Sequence, residues 1–362
     1  MLVPDADGWL FPEEADLLSN LSSELQQDQV WCEVGAYKGK STKALASSGK
    51  KGYVIDWFKG SPEHEKGTFT YPEFYSNLRK EILSEQIKVL PGNSYDAYRY
   101  VFDPISLLFV DADHSYEGIK RDFELYSKKV KNGGLIVIHD SWGEEGQESN
   151  TPWEGVTRFT KELRSNPNYT EISKVRRCSV FRKESPIENA IIITTYEDSP
   201  WFWDCFNSVK AIAYKYPIFS RVNTKDKNWY EAGGFHSAKL IGSTWFFILM
   251  DTSIVKDVDL FDVVFNYNTS VAVSPNFLMC IGKYNLTGIP EILSMPNSKK
   301  EAIGFESKFN KDYMCNNQFI VLEPEFTDRQ VFEQKNGRQN MVLDCRFITK
   351  WKGTWALSMV KE

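Results

Sequence analysis

The sequence predicts a doubly wound α/β domain followed by a second α/β domain. Strand-like apolar runs alternate with helix-like segments through the first half of the chain, and several of these runs end abruptly in polar residues. Such alternation implies a mostly parallel sheet, whose ligands bind beyond the carboxyl ends of the strands. The alternation restarts after a charged, Pro-containing stretch near Ser185, which predicts domains at residues 1–185 and 186–362.

The elements of the first half follow from apolar runs and from the residues that interrupt them. Gly49 is expected to close the first helix after the first strand, and Gly133 with Gly134 to stop a long amphipathic helix. The expected elements are, in order, a strand at 30–34, a helix within 40–49, a strand at 52–56, a helix at 71–83, strands at 87–93 and 105–111, a helix at 116–130, a strand at 134–140 and a hairpin within 170–184.

Composition narrows the function classes. The 43 Lys and Arg against 49 Asp and Glu give a net charge of −6, which argues against a general nucleic-acid binder. Six widely spaced Cys without a C-x-x-C pair and no N-terminal apolar segment favour a reduced, cytoplasmic setting. The apolar runs are too short to span a bilayer, so we expect no membrane span. The sequence predicts no oligomeric state.

A glycine-containing turn follows the first strand. Glu33, Gly35 and Gly39 have the spacing E-x-G-x-x-x-G, and Asp56 ends the next strand about 20 residues later, where a carboxylate can accept hydrogen bonds from a ribose diol. The turn matches neither the dinucleotide fingerprint G-x-G-x-x-G nor a phosphate-binding P-loop. A nicotinamide-dependent oxidoreductase is therefore a weaker alternative.

Two later strands both end in a carboxylate next to an imidazole. Asp111 and His114 follow the fourth strand, and His139 and Asp140 follow the fifth. Their joint occurrence at adjacent sheet ends favours a functional site over turn capping. Asp113 is expected to be structural, and His139 fits a structural or a ligand role equally well. His64 is expected in a surface loop.

Together these stretches resemble a known family. The quoted motifs are EVGAYKGKST, VIDWF, LPGNS, FVDADHSYEGIKRDFE and GGLIVIHD, and residues 8–184 resemble class I S-adenosylmethionine-dependent methyltransferases. More narrowly, they resemble the O-methyltransferases of the catechol, caffeoyl-CoA and macrocin type. The resemblance implies a Rossmann-like, mostly parallel seven-stranded sheet that ends in an antiparallel hairpin.

The resemblance also implies roles for single residues. The methionine part of the cofactor is expected beside Glu33 and the loop of Gly35 and Gly39, and its ribose on Asp56. The remaining cofactor contacts are expected from Trp57 flanking the adenine, from Asn93 and Ser94 at the adenine edge, and from Asp111.

Related families hold a divalent cation, usually Mg²⁺, at the ends of the fourth and fifth strands. Asp111 and Asp140 match two ligand positions, and Ser141 stands where Asn is common, so His139 or a water could complete the site. Mg²⁺ or Mn²⁺ bound to a hydroxyl would lower its pKa, and a nearby base would accept the proton. His114 is the expected general base, and Asp111 is counted with it as catalytic.

The second half resembles GT-A-type glycosyltransferases less specifically. AIIITTYEDSPWFWDCF is similar to their first strand and helix, and TWFFILMDTS to the strand that ends in D-x-D, although the second carboxylate is absent. The expected donor-site residues for a nucleotide-sugar are Thr195, Glu197, Asp251 and Ser253, with Glu231 and Gly233 as further candidates. A glycan-binding domain without catalysis is an equal alternative.

The combined expectation is an O-methyltransferase acting on a sugar or glycan hydroxyl, joined to a glycosyltransferase-like domain. A phenolic small molecule is the rival acceptor. A scaffold or glycan-binding protein with degenerate enzyme domains is the rival outside the enzyme class.

Overall fold

The computed structural model describes residues 6–60, 67–142, 153–224, 229, 233–273, 282–288, 296, 298, 301, 319–322, 328–335, 338–344, 346 and 348–352. It divides into two compact units, Met1–Pro186 and Ile187–Glu362.

The first unit alternates strands and helices. Its helices are α1 (Pro12–Ser23), α2 (Lys40–Ala46), α3 (Tyr71–Leu83), α4 (Ser94–Ala97), α5 (Tyr116–Tyr126) and α6 (Glu154–Leu163). Its strands are β1 (Val30–Val34), β2 (Gly52–Asp56), β3 (Ile87–Pro91), β4 (Ile105–Val110), β5 (Val130–Ile138), β6 (Tyr169–Val175) and β7 (Cys178–Lys183).

These strands form one seven-stranded sheet in the order β3–β2–β1–β4–β5–β7–β6. The first five strands are parallel, and β7 pairs antiparallel with both β5 and β6. The central strands β1 and β4 are buried along their whole length, which explains their unbroken apolar sequences. The expected mostly parallel, Rossmann-like sheet with a terminal hairpin is confirmed.

The end of the long amphipathic helix differs from the expectation. Helix α5 stops at Tyr126, and Gly133 and Gly134 lie inside β5 instead of ending a helix. Gly133 has φ +75°, and the β4–β5 register shifts between Ile105 and Leu107. A positive φ interrupts the pleat, so the two glycines mark an irregularity in the strand. Helices α1, α4 and α6 were not expected.

The second unit begins with alternating strands and helices and continues with further strands. Its helices are α7 (Phe202–Val209), α8 (Gly233–Ile241) and α9 (Asp259–Asn266). Its strands are β8 (Ile187–Tyr196), β9 (Ile218–Asn223), β10 (Ser243–Met250), β11 (Ser253–Val255), β12 (Ser270–Ala272), β13 (Gly282–Asn285), β14 (Phe319–Val321), β15 (Asp328–Lys335), β16 (Arg338–Asp344) and β17 (Ile348–Lys352).

Two sheets organise this unit. One has the order β14–β12–β13–β10–β8–β9, and the other has the order β11–β17–β16–β15. Strands β9, β8 and β10 are parallel, and β13 joins β10 in the antiparallel direction. Apolar side chains of β8, α8 and β10 form its core.

Across the described part of the chain, no helix combines the length and the apolar character that crossing a membrane requires.

Candidate functional site

Parallel pairing brings three chain positions into one row at the carboxyl edge of the first sheet. The Gly35 N–H donates to the Ile55 carbonyl at 2.9 Å, and the next rungs join Asp111 N–H to Val34 at 2.8 Å and His139 N–H to Val110 at 3.1 Å. The ladder therefore extends one residue beyond β1, β4 and β5. Gly35, Asp111 and His139 lie side by side because their strands end in register.

The glycine turn is built by close backbone approach. Gly35 has φ +90°, and a Cβ there would lie 2.0 Å from the carbonyl oxygen of Asp111. Gly39 precedes α2 in the left-handed conformation, and its Cβ would lie 2.6 Å from Leu78 Cδ1. Both positions need glycine for packing within the protein, before any ligand is considered.

Asp56 organises this turn. Its Oδ2 accepts hydrogen bonds from the backbone N–H groups of Ala36 and Tyr37 at 2.7 and 2.8 Å. Its Oδ1 accepts from the Phe58 N–H at 2.6 Å. A carboxylate offers about four acceptor positions, so roughly one remains on Oδ1 for a ribose hydroxyl.

Glu33 is fully buried and faces the first turn of α2. Its carboxylate accepts hydrogen bonds from the hydroxyls of Ser41 and Thr42. Burial raises the pKa of Glu33 to about 8, against the lowering effect of these two hydrogen bonds. The side chain therefore fixes α2 to β1 and is largely protonated near neutral pH.

The side chains expected to contact the adenine differ in their exposure and in the hydrogen bonds that they already make. Trp57 is 51% exposed directly beside Asp56, as a stacking surface would be. Asn93 caps α4, accepting from the Asp96 N–H at 2.9 Å, and Ser94 donates its hydroxyl to Asp122. The side chains of Asn93 and Ser94 thus already serve α4 and α5, and their adenine contacts stay a prediction.

The carboxylates and imidazoles after β4 and β5 form one cluster. His114 Nε2 lies 3.4 Å from both Asp111 Oδ1 and Asp140 Oδ2. His139 Nδ1 lies 3.1 Å from Asp111 Oδ1 and 3.3 Å from Asp140 Oδ2. The ring of Trp153 stacks on His114 at 4.2 Å between centroids. Asp140 has φ +52°, a strained conformation of the kind that often occurs at functional sites.

The cluster shifts the pKa of each member. Burial alone would lower the pKa of His114, but the hydrogen bonds to Asp111 and Asp140 outweigh it and raise the pKa to about 10. The pKa of His139 is also raised well above its usual value, since the charges of both carboxylates outweigh burial. Burial would raise the pKa of Asp111, but His139 and His114 lower it to about 2, and they lower the pKa of Asp140 as well.

Two residues of the site come from distant parts of the chain and carry no sequence signal. Glu14 of α1 is fully buried, and its Oε2 lies 3.2 Å from His139 Nε2. Arg177, in the turn between β6 and β7, contacts Asp140 Oδ1 through Nη1 at 3.2 Å. Neither position follows a strand of the parallel sheet, so the end-of-strand reasoning could not find them.

Ser141 does not turn its hydroxyl toward the cluster as a ligand would. Its Oγ donates to the Arg177 carbonyl at 2.8 Å and lies 2.9 Å from Ser179 Oγ. The side chain of Asp113 accepts from the Ser115 N–H at 2.9 Å, a local turn contact. His64 lies outside the described residues.

The donor set fits a divalent cation. One ligand atom each from Asp111, His139 and Asp140 lies within 4.8 Å of the others. His139 has its second nitrogen on a buried carboxylate, an arrangement that accompanies most metal-bound histidines. The set combines oxygen and imidazole nitrogen, whereas Mg²⁺ sites are built from oxygen.

Among the described residues predicted for the donor site of the second unit, Thr195 and Asp251 contact each other. Thr195 Oγ1 donates to Asp251 Oδ2 at 2.7 Å, and both are buried. Glu197 contributes its backbone N–H to the Asn223 carbonyl at 2.8 Å. Ser253 is buried at the start of β11, Gly233 begins α8, and Glu231 lies outside the described residues.

Comparison with known proteins agrees with this architecture. Residues 32–141 match the family model of a methyltransferase domain, a stretch that holds the glycine turn and both His–Asp pairs. The first unit has a Rossmann-like fold with a mostly parallel sheet, and the matched residues lie within it. The match stops before the second unit, whose glycosyltransferase-like character stays a prediction.

The individual relatives are distant. An uncharacterised protein of Acanthamoeba polyphaga mimivirus is 27% identical over 134 residues, which cover 34% of this chain and 57% of that protein. The chain thus spans a little over half the length of this curated relative.

Two solved methyltransferase structures are similar at still lower identity. An O-methyltransferase from Bacillus cereus, solved in complex with SAH, shows 19% identity and a TM-score of 0.37, covering 51% of this chain and 84% of its own. The O-methyltransferase TomG from Streptomyces achromogenes, in complex with SAM, shows 18% identity and a TM-score of 0.39, covering 49% and 82%.

Proposed function

We propose that residues 1–185 form an S-adenosylmethionine-dependent O-methyltransferase. The observation that carries the proposal is the row of Gly35, Asp111 and His139 at one sheet edge, with Asp56 holding the neighbouring turn. This edge unites a nucleoside-binding turn with a cluster of two carboxylates and two imidazoles. The matched methyltransferase domain spans the same residues.

The first step is binding of the cofactor, which would supply a methyl group on a sulfonium centre. Asp56 keeps the N–H groups of Ala36 and Tyr37 fixed and offers its remaining acceptor position to one ribose hydroxyl. Trp57 presents an exposed indole for the adenine ring. Glu33 acts indirectly, because its buried carboxyl holds α2 behind the glycine turn.

The second step is preparation of the acceptor hydroxyl. A divalent cation held by Asp111 and Asp140, with His139 as the third ligand, would lower the pKa of the hydroxyl and orient it. His114 faces both carboxylates and would take the proton. Its pKa of about 10 means that His114 is protonated at neutral pH in the metal-free protein. It becomes a base only when another positive charge has displaced its proton.

We further propose a sugar or glycan hydroxyl as the acceptor, with residues 186–362 as a glycosyltransferase-like unit. The support is the similarity to macrocin-type enzymes and the parallel strands β9, β8 and β10, of which β10 leads into Asp251. Because Asp251 binds Thr195 and position 253 is a buried serine, glycan binding without sugar transfer is the second candidate for this unit. A phenolic acceptor is the alternative for the first unit, and a cytoplasmic location stays a prediction.

Transfer of a radiolabelled methyl group tests the proposal. Purified full-length protein is incubated with methyl-labelled S-adenosylmethionine and with panels of sugars, glycans and catechols, in the presence of Mg²⁺, Mn²⁺ or chelator. Label in a sugar or glycan supports the acceptor proposal, and label in a catechol replaces it with the phenolic one. No transfer to any acceptor, together with no cofactor binding, would contradict methyltransferase activity.

A further inference from the structure

The buried pair of Glu14 and His139 is not explained by cofactor binding or by the chemistry of the hydroxyl. Glu14 is fully buried, and the His139 side chain is 2% exposed. Glu14 belongs to α1, which lies outside the matched methyltransferase stretch at residues 32–141. Its position in the sequence, 125 residues before His139, gives no hint of this contact.

The carboxylate of Glu14 is held rigidly. Its Oε2 accepts from the Phe11 N–H at 2.9 Å, and its Oε1 accepts from the Arg177 N–H at 2.9 Å. Two backbone donors from separate segments therefore fix both oxygens. These charge-assisted hydrogen bonds fix the orientation in which the carboxylate meets the His139 ring.

The contact orients the ring. With Nε2 turned to Glu14 at 3.2 Å, Nδ1 points at Asp111 Oδ1 and Asp140 Oδ2, which lie 3.1 and 3.3 Å away. Once a cation has displaced the Nδ1 proton, a histidine that donates its Nε2–H to a carboxylate presents the Nδ1 lone pair for coordination. The atoms that converge are then one imidazole nitrogen and two carboxylate oxygens.

We propose that Glu14 is a positioning residue that makes His139 a metal ligand through Nδ1, so that the site selects a first-row transition-metal ion over Mg²⁺. The inference deepens the proposed function, because it concerns the same cation site. Imidazole suits first-row transition metals such as Fe²⁺, Ni²⁺ and Zn²⁺, whereas Mg²⁺ favours carboxylates and water. Mn²⁺ favours oxygen ligands but also coordinates imidazole, so it serves here as the spectroscopic probe. The nitrogen ligand is thus the feature that separates the two kinds of ion.

Nitrogen coordination is measured directly with Mn²⁺ as the probe. Electron spin-echo modulation of Mn²⁺ bound to the full-length protein, without S-adenosylmethionine, reports ¹⁴N coupling from a ligated imidazole. His114 Nε2 also faces both carboxylates, so His114→Asn and His139→Asn form the matched pair. We expect the coupling in the wild type and in His114→Asn, and its loss in His139→Asn.

The role of Glu14 is measured by affinity. Glu14→Gln keeps the size of the side chain, and we expect it to weaken Mn²⁺ binding by about 10–100-fold, the usual effect of losing such a partner. Glu13→Gln is the control, because Glu13 lies next in sequence but pairs with Arg176 at 2.8 Å. Removal of the same charge there should leave the Mn²⁺ affinity within about twofold, since exposed charges act weakly.

The selectivity follows from the same titrations. Mg²⁺ affinity should fall much less than Mn²⁺ affinity in Glu14→Gln, because Mg²⁺ gains little from the nitrogen. An equal loss for both ions, or an equal loss in Glu13→Gln, would contradict a positioning role. Circular dichroism shows whether each variant folds, and the wild-type spin-echo result stands even if Glu14→Gln does not.

The outcomes separate this inference from the proposed function. Bound Mn²⁺ without ¹⁴N coupling, or coupling that survives in His139→Asn, would overturn the ligand role of His139 and leave cation binding by Asp111 and Asp140 intact. Absence of any Mn²⁺ binding would overturn the inference as well. S-adenosylmethionine binding in chelator is measured separately and tests the methyltransferase proposal alone.

Discussion

Substitution of Gly35 by Ala perturbs the close approach of the glycine turn to the backbone of Asp111. Gly35 has φ +90°, and its missing Cβ would fall 2.0 Å from the backbone oxygen of Asp111. A positive φ costs a residue with a Cβ about 1–2 kcal/mol. A clash with backbone cannot be relieved by a rotamer change, and overpacking of this kind adds about 1–3 kcal/mol. The expected loss in the free energy of unfolding is therefore about 2–5 kcal/mol.

Gly49→Ala is the matched control. Gly49 also has positive φ, +73°, but a Cβ there would meet nothing within 4 Å. It should show the conformational cost alone, about 1–2 kcal/mol. Denaturant unfolding of both variants measures the difference, since the second unit is identical in each. A difference below about 0.5 kcal/mol, smaller than any overpacking cost, would refute the close approach of Gly35 to Asp111.

Further predictions concern single side chains of the site. Asp56→Asn should weaken S-adenosylmethionine binding at least about tenfold, because the amide NH₂ group would face backbone N–H donors and could not accept their hydrogen bonds. Calorimetry measures the affinity, and an unchanged value would remove Asp56 from the cofactor site. Glu33 has a pKa raised to about 8, so the folded state binds a proton that the unfolded state releases, and stability should fall between pH 5 and 8. Glu33→Gln should flatten that part of the pH profile in denaturant titrations, and an unaltered slope would contradict the assignment. In metal-free protein the His114 ring should remain protonated between pH 6 and 8.5, because its pKa is about 10, and NMR titration measures this. Asp111→Asn should lower the pKa of His114. Titration of His114 near pH 6.5 in the wild type would refute its contacts with Asp111.

Sequence reasoning found the features of this site that are set by local pattern. Apolar runs located the central strands, and the polar residues at their ends had to meet because parallel strands share one edge. Asp111, His114, His139 and Asp140 therefore come together as expected. The turn at Gly35 was also located, although the close approach of the Asp111 backbone requires a glycine there by itself.

The remaining features depend on tertiary contacts that no local pattern encodes. Glu14 reaches His139 because α1 packs beside the sheet, and Arg177 reaches Asp140 from a hairpin turn. Ser141 sits next to a predicted ligand in sequence, yet its hydroxyl bonds to Ser179 of β7. A glycine pair between two periodic segments indicates a turn or loop, but Gly133 and Gly134 lie inside strand β5.

Calorimetric titration of S-adenosylmethionine into the full-length protein, with chelator and with Mn²⁺, tests the central claim most directly. We expect one cofactor to bind per chain with micromolar affinity, and weaker binding to Asp56→Asn than to the wild type. The absence of binding in both conditions would contradict the proposed cofactor site, because the glycine turn and Asp56 would then have only a structural role.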